Sequence, residues 1–528
     1  MNSPEIVSAL VNVFSLMIPE IVLGGAACIL FLGATFRADR QLWASVALVA
    51  LAGAGLALWL SPQEAPSRAA IYAGALVNDS LAIFIKVLAL LGGALLVLLS
   101  WKDVPERTAA EYYACLLIII AGLGLVGAAN ELVTLFLSLE LISIPTYVLL
   151  YLPRQDNASQ EAALKYFLLS IFSSALLLFG FSYLYGLGGT TNLPALMETL
   201  SQAGRDGLPG ITQVALVMIV AGLAFKITAV PFHFYAPDVY QGTSTAAAAL
   251  LAFVPKVAGF VALIRVLGYV WAGHAGSGLA FGIQGPMLLY ILAAVSMTLG
   301  NILALLQDNV KRILAYSGVA NAGYMLIGLA VAPDLRGDGM PGGVDAVLFY
   351  LVAYGAMTTG AFAVLAYLQN PGQTVETVDD LAGLSRNQPG LAALMAWFLF
   401  SLIGIPLTAG FAGKLLLFYG ALAATPPLEH PWLFRILATV GVLNAAVAAW
   451  YYLRIIAVMY LRDPIRPLAR PRSWPGLACV WFCALVTLAF GVVPNPLAQF
   501  TLKATSAKAP ASLTTPGADA GKVPGKRV

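Results

Sequence analysis

Charged side chains are scarce in this chain. Asp, Glu, Lys and Arg make up 10% of its 528 residues, whereas about 25% is usual in a soluble domain. Hydrophobic residues make up 60%, which is more than a water-soluble fold can bury. The composition therefore excludes a soluble globular protein. A net charge of only +3, carried mainly in short loops, also predicts no nucleic-acid partner.

Residues that bind metals or nucleotides are lacking as well. Cys28, Cys115, Cys479 and Cys483 lie inside apolar segments without C-x-x-C spacing, and no cluster of His, Cys and carboxylates has the spacing of a ligand set. There is no nucleotide-binding loop and no haem or iron–sulfur motif. We therefore expect the cysteines to be packing residues and the chain to hold no metal, cofactor or redox centre.

Long apolar runs, by contrast, recur along the chain as far as about residue 494. Each is about 20 residues long, enough to cross a hydrocarbon core of about 30 Å. The sequence therefore predicts an all-α polytopic membrane protein with about 14 transmembrane helices. The predicted helices lie near residues 10–32, 42–60, 78–100, 110–128, 131–152, 161–187, 211–234, 245–270, 282–305, 311–332, 344–368, 390–423, 432–460 and 474–494. Residues 501–528, small, charged and rich in Pro and Gly, predict a disordered tail.

The loops between these helices carry their basic residues mostly on one side. That side has Arg37, Arg40, Lys102, Arg107, Arg154, Lys311, Arg312, Arg386, Arg462, Arg466, Arg470 and Arg472, and the other side has Arg68, Arg205 and Arg336. Short loops rich in Lys and Arg stay in the cytoplasm. The sequence therefore predicts that both termini lie on the outer, periplasmic side of the membrane.

Two predicted helices are interrupted. Residues 224–242 read AFKITAVPFHFYAPDVYQG, and residues 402–420 read LIGIPLTAGFAGKLLLFYG, so proline and glycine break an apolar run beside a lysine in both. Interrupted helices at membrane depth require protein or a water-filled cavity around the freed backbone groups, and they often mark transport sites. Five helices separate comparable positions of the two segments. Two five-helix repeats of opposite orientation would fit this spacing.

Several charges lie inside the apolar helices. A charge at the centre of a bilayer costs about 2.5–3.5 kcal/mol on insertion scales, so each one needs a partner, a cavity or a function. The interior charges are Glu140, Lys165, Lys226, Lys256 and Lys414. Burial makes a lysine release its proton more easily and a nearby carboxylate makes it hold the proton, so a row of such groups could pass protons across the membrane.

Each interior charge also has a simpler interpretation. Lys165, one to two turns inside its helix, could extend its ammonium to the headgroups, and Glu140 could be the static partner of a lysine. Lys86 and Asp79 could form another pair, but Asp79 lies at a helix boundary, and we interpret both as structural residues. His233, two residues after Pro231, could be a packing residue or a relay, because its pKa suits proton transfer near neutral pH.

The interrupted segments belong to a wider pattern. They and two further segments, AAALLAFVPKVAGF at 247–260 and QDNVKRILAYSGVANAGYMLIGLA at 307–330, resemble the signature segments of the antiporter-like membrane subunits of respiratory complex I. The resemblance is strongest to the subunit N family and covers most of residues 10–495. It implies 14 helices in two inverted five-helix repeats, with helices 7 and 12 discontinuous. The implied regions are 1–109 (three helices), 110–270 and 271–460 (the two repeats), 461–500 (a last helix) and 501–528 (the tail).

The resemblance also implies roles for individual residues. Glu140 and Lys226 would be the coupled pair, Lys165 a modulator, His233 and Lys256 the central relay, and Lys414 the terminal site facing the next subunit. NADH, FMN, iron–sulfur clusters and quinone are expected in partner subunits, as are neighbouring antiporter-like and small membrane subunits in a bacterial inner membrane. The chain departs from the family in having Asn321 where histidine is frequent and Gly318 where serine is frequent.

Three functions remain open at this point. The leading expectation is a subunit that relays protons while redox chemistry in partner subunits drives it, so that it is part of an enzyme without holding a redox centre. A subunit of a stand-alone cation/proton antiporter is the alternative. A structural spacer without transport is disfavoured, because all five interior charges are retained.

Overall fold

The computed structural model describes residues 13–61, 74–154, 156–203, 210–268, 284–332, 343–369, 375–424, 430–465 and 473–505. Within these ranges the chain is helical apart from turns and three isolated bridges. The helices long and apolar enough to cross a membrane are Arg40–Leu60, Ser80–Ser100, Glu106–Ala128, Leu132–Tyr151, Asn157–Gly188, Gly210–Ile227, Thr245–Val266, Gln284–Leu305, Val310–Val331, Val344–Leu368, Pro431–Leu461 and Trp474–Val492. The protein is therefore a multi-pass membrane protein, as predicted.

Shorter apolar helices complete the set. Ile18–Gly33 precedes the first long helix, and Pro389–Ile403 with Ala409–Leu422 forms a broken helix before Pro431–Leu461. Gly210–Ile227 is followed by the short helix Ala236–Gly242, which continues it after a gap. We number the resulting segments of the described chain spans 1 to 14, from Ile18–Gly33 to Trp474–Val492. Span 7 is then the pair around residues 228–235, and span 12 is the pair around residues 404–408.

Both interruptions arise from local sequence. The first piece of span 12 ends at Ile403 because Gly404 adopts φ +94°, a left-handed conformation that glycine adopts without strain. Thr408 then begins the second piece, accepting a hydrogen bond from the Phe411 amide. In span 7 the second piece begins with Pro237 in its first turn, where proline is favourable. The prediction that helices 7 and 12 are discontinuous is confirmed. Because the two helices are five membrane crossings apart in the chain, they run in opposite directions, as inverted repeats require.

Spans 8, 10 and 11 form the centre of the bundle, and spans 2, 13 and 14 lie at its periphery. Small residues allow the central spans to approach their neighbours closely. A Cβ on Gly300 of span 9 would lie 2.7 Å from the Ala320 amide of span 10, and one on Gly323 would lie 2.7 Å from the Met297 amide. Close backbone contact of this kind is how helices associate in a membrane, where apolar surface gives little attraction.

The C-terminal region differs from the predicted disordered tail. Asn495–Thr505 is a helix, so the tail prediction is wrong for residues 501–505, whereas residues 506–528 lie outside the described part of the chain. Leu497, Thr501 and Ala504 are buried at helical spacing, and the Phe500 ring lies 5.2 Å from the ring of Phe84 in span 3. Docking against the bundle therefore orders a segment whose composition alone suggests disorder.

Two buried ion pairs connect spans 1 and 8 to span 3. Lys86 pairs with Glu20 at 3.0 Å, with side chains 3% and 4% exposed. Asp79 accepts two 2.7 Å hydrogen bonds from the fully buried guanidinium of Arg265. The possible pair of Asp79 with Lys86 is therefore not formed. The two residues are seven apart, about 10 Å along a helix, and Asp79 turns away to span 8.

We expect Glu20→Gln and Lys86→Met to destabilise the protein by about 3–5 kcal/mol each, because each change leaves a buried charge without its partner. The double variant should be nearly as stable as the parent, because it removes both charges. Thermal unfolding of the purified protein in detergent measures this. The control is Arg386→Met with Asp463→Asn, which removes an exposed pair and should change little. A double variant as unstable as the two losses combined would contradict the prediction.

Candidate functional site

Glu140 lies near the middle of span 5, and Lys226 lies in the last turn before the gap of span 7. Each is bound by serine hydroxyls. Ser174 of span 6 donates a 2.5 Å hydrogen bond to Glu140 Oε1, and Lys226 Nζ donates to Ser143 Oγ at 2.6 Å and to Ser170 Oγ at 3.2 Å. The sequence analysis did not single out these serines, although Ser170 and Ser174 recur at helical spacing in an apolar span.

The two charges are close without being in contact. Among the ion pairs of the described residues, none joins Glu140 to Lys226 within 4.0 Å. Lys226 is buried and Glu140 half-buried. The structure therefore shows each member of this pair bound by its own serine hydroxyls, and its coupled role remains a prediction.

Lys165 lies at the end of the bundle where spans 6 and 10 begin. Its Nζ is 2.6 Å from Glu161 and 2.8 Å from Asp238, and Asp238 also pairs with Arg312 at 2.6 Å. The Lys165 side chain is 39% exposed. The Lys165 ammonium thus extends towards the surface, in line with the simpler interpretation. It also binds Asp238 of span 7, a carboxylate that it shares with Arg312.

His233 lies in the gap between the two pieces of span 7. Its ring centroid is 6.4 Å from that of Tyr316 in span 10. The imidazole is half-buried and packs beside span 10. Its relay role remains a prediction.

Lys256 lies near the middle of span 8 and is completely buried. Its Nζ donates to the Gly318 carbonyl at 2.5 Å and to the Tyr354 hydroxyl at 3.3 Å. A Cβ at position 318 would lie 2.5 Å from Nζ and 3.0 Å from the tyrosine oxygen. The absence of a side chain at Gly318 therefore leaves the space in which this ammonium lies.

Lys414 caps the first piece of its own broken span. Its Nζ donates to the Leu402 carbonyl at 2.7 Å and to the Ile403 carbonyl at 3.0 Å, the last two residues before the gap. These carbonyls have no acceptor role inside the helix and carry its partial negative charge, so a cation there is favourable. The ring of Tyr324 lies 4.9 Å from Nζ on the other side.

Asn321 belongs to a layer of polar side chains between Lys256 and Lys414. It accepts a 2.6 Å hydrogen bond from Tyr350 and donates to the Ser317 carbonyl at 2.8 Å. Ser317 in turn bonds to the Tyr452 hydroxyl. On the Lys414 side, Asn301 accepts a 3.0 Å hydrogen bond from the Tyr451 hydroxyl and donates one of 3.2 Å to the Tyr324 hydroxyl. Of these residues, only Asn321 was singled out from the sequence.

Three of the predicted site lysines share one property. Lys226, Lys256 and Lys414 are buried, and each ammonium is bound by hydroxyl or carbonyl oxygens, with no carboxylate of the described residues within 4.0 Å. Burial favours the neutral amine of a lysine, and no fixed negative charge in contact opposes it. Such groups are suited to taking up and releasing protons.

Known proteins share this arrangement of helices. The family model described as "NADH:quinone oxidoreductase/Mrp antiporter, TM" matches residues 129–441. NADH-quinone oxidoreductase subunit N of Anaeromyxobacter sp. (strain Fw109-5) is 37% identical over 499 residues, which cover 92% of this chain and 95% of that protein. A chain of respiratory complex I from Thermus thermophilus with bound aureothin has a TM-score of 0.74 at 29% identity, covering 91% of this chain and 99% of that chain.

A more distant structure shares the fold. A chain of the Mrp complex from Dietzia sp. DQ12-45-1b has a TM-score of 0.74 at 21% identity and covers 93% of this chain and 52% of that one. The fold and the matched family define an antiporter-like membrane subunit. Relatives of nearly equal length narrow this further: the chain belongs to the NADH-quinone oxidoreductase subunit N family. The resemblance found in the sequence is confirmed.

Proposed function

We propose that this chain is a proton-translocating subunit in the membrane arm of a respiratory NADH:quinone oxidoreductase. Glu140, Lys226, His233, Lys256 and Lys414 carry the protons. The observation that supports this most is the surroundings of Lys226, Lys256 and Lys414, because each buried ammonium is bound by neutral oxygens and has no carboxylate in contact. Its free-energy cost in a membrane is compensated only by a function.

The redox chemistry takes place in other subunits. The relatives are named as subunits of an NADH-quinone oxidoreductase, and NADH, FMN, iron–sulfur clusters and quinone are expected in partner chains of that complex. Neighbouring antiporter-like and small membrane subunits complete the membrane arm, with Lys414 as the terminal site facing one of them. Lys165 modulates the path through Asp238, the carboxylate that it shares with Arg312.

The alternative, a subunit of a stand-alone cation/proton antiporter, is not favoured. The likeness to the Mrp complex is one of fold at 21% identity, whereas relatives named subunit N reach 37% over nearly their whole length. A spacer without transport is disfavoured by the retained lysines. Copurification of flavin and iron–sulfur subunits from native membranes would distinguish the two transport functions.

The chain divides into residues 1–109, two repeats at 110–270 and 271–460, a last membrane segment at 461–500 and a tail. We place it in the inner membrane of a bacterial cell with both termini outside. The loop carrying Arg37 and the turn carrying Arg312 then lie in the cytoplasm.

Replacing Lys226 with Ala, or Glu140 with Ala, should abolish most proton pumping coupled to quinone reduction while the complex still assembles. Each residue supplies a titratable group that no neighbour replaces. Acidification of inverted membrane vesicles on NADH addition, normalised to electron flow, measures this. Arg386→Ala, an exposed charge elsewhere, is the control. The double variant Glu140→Gln with Lys226→Met should lose less pumping than the two single losses combined, because both residues act in the same proton-transfer step. Normal pumping in both single variants would exclude the relay.

Asn321→Leu should slow pumping, because leucine removes the amide that connects Tyr350 to Ser317. Asn321→His should be tolerated, since an imidazole keeps polar atoms at this position. Proton-to-electron ratios of the two variants, compared with the parent, measure the difference. Should the leucine variant pump at the parent rate, position 321 lies off the path and the amide is a packing group.

Labelling of introduced cysteines should show the sidedness. Arg37→Cys beside Arg40 and Asp308→Cys beside Arg312 should react with a membrane-impermeant thiol reagent only from the cytoplasmic side. Lys522→Cys, in the tail outside the described residues, should react from the outer side. The background variant is Cys28→Ser, because Cys28 is the exposed cysteine of the described chain. A tail that reacts from the cytoplasm would refute the even number of spans.

A further inference from the structure

Serine hydroxyls bind both Glu140 and Lys226, and these hydrogen bonds have a direction. Ser174 donates to the carboxylate of Glu140, which can only accept. Ser143 donates to the Leu139 carbonyl at 2.8 Å, so its lone pairs are available to accept from Lys226 at 2.6 Å. The anion is thus offered a donor and the cation is offered acceptors.

Other buried serines nearby behave as serines in membrane helices usually do. Ser138 donates to the carbonyl of Thr134 in the preceding turn, and Ser173 donates to the Gly222 carbonyl of span 7 at 2.7 Å. Neither contacts a charge. Ser173 and Ser174 are adjacent on one helix, so they provide a matched pair of positions with different partners.

We infer that Ser174, Ser143 and Ser170 are positioning residues that hold Glu140 and Lys226 in separate sites, so that Lys226 can release its proton. The inference rests on the proposed proton path. A carboxylate in direct contact with a buried ammonium stabilises the charged pair strongly, and Lys226 would then keep its proton. Hydroxyl groups satisfy the same donors without a fixed charge. The serines therefore keep the lysine in the range in which it can exchange protons.

Few other titratable groups face this site. Tyr147 of span 5, Tyr166 of span 6 and Tyr235 in the gap of span 7 surround it, and tyrosines are uncharged near neutral pH. Span 8 contributes Gly259, against the Lys226 side chain. A change in pH dependence after a serine substitution can therefore be assigned to the Glu140 and Lys226 groups.

The test compares Ser174→Ala and Ser143→Ala with the control Ser173→Ala in the intact complex. Without its serine partner, Glu140 or Lys226 is free to form a direct Glu140–Lys226 ion pair. This pair stabilises the protonated form of Lys226. The pH at which pumping is half-maximal on its acidic limb should therefore rise by about one unit or more. Ser173→Ala should leave it unchanged. Ser174→Thr, which keeps the hydroxyl, should restore the parent profile.

A second measurement does not depend on pumping. The infrared carboxylate band of Glu140, identified by its disappearance in Glu140→Gln, should shift in Ser174→Ala and not in Ser173→Ala. If Ser174→Ala does not assemble, Ser174→Cys retains the volume with a much weaker donor and should show the same shift. Unchanged pH profiles and bands in the serine variants would overturn the inference, as would a profile displaced to lower pH. If these results occur while Lys226→Ala abolishes pumping, the proposed function stands. Normal pumping in Lys226→Ala would refute both.

Discussion

The desolvation of ammonium groups governs this structure. A lysine inside a membrane must find oxygen atoms in the protein, because neither lipid tails nor apolar side chains supply any. The chain provides them in three ways: serine hydroxyls for Lys226, a backbone carbonyl beside a glycine for Lys256, and the end of a broken helix for Lys414. The interruption of span 12 thus exposes the carbonyls that bind its lysine.

The membrane spans and the two breaks could be predicted because they depend on local properties. Apolar length fixes a span, and a glycine or proline fixes where it ends. Partner choice could not be predicted in this way. Glu20 and Lys86 lie 66 residues apart, and Asp79 and Arg265 lie 186 apart, so their pairing depends on which helices are neighbours. The same limit explains why the tail prediction was wrong for residues 501–505: the helix there is stabilised by the bundle, and its composition does not indicate this.

The candidate site shows the same division. Its charged members are conspicuous in an apolar sequence, whereas the serines and tyrosines that hold them are ordinary residues in such helices. Gly318 and Asn321 were recognised only as departures from a family pattern. In the structure they lie one turn apart on span 10: Gly318 leaves space for the ammonium of Lys256, and Asn321 bonds to Tyr350 in the tyrosine layer. A side chain at position 318 would therefore require Lys256 to move.

The depth of the charges has an electrical consequence. Glu140 and Lys256 each lie near the middle of a helix of 20 or 22 residues, so a proton passed from one region to the other travels mainly parallel to the membrane plane. Moving one charge through the whole membrane potential requires about 2.3 kcal/mol per 100 mV. Lateral steps cross little of that potential. The work against the membrane voltage is therefore concentrated in the steps by which protons reach this row from one face and leave it at the other.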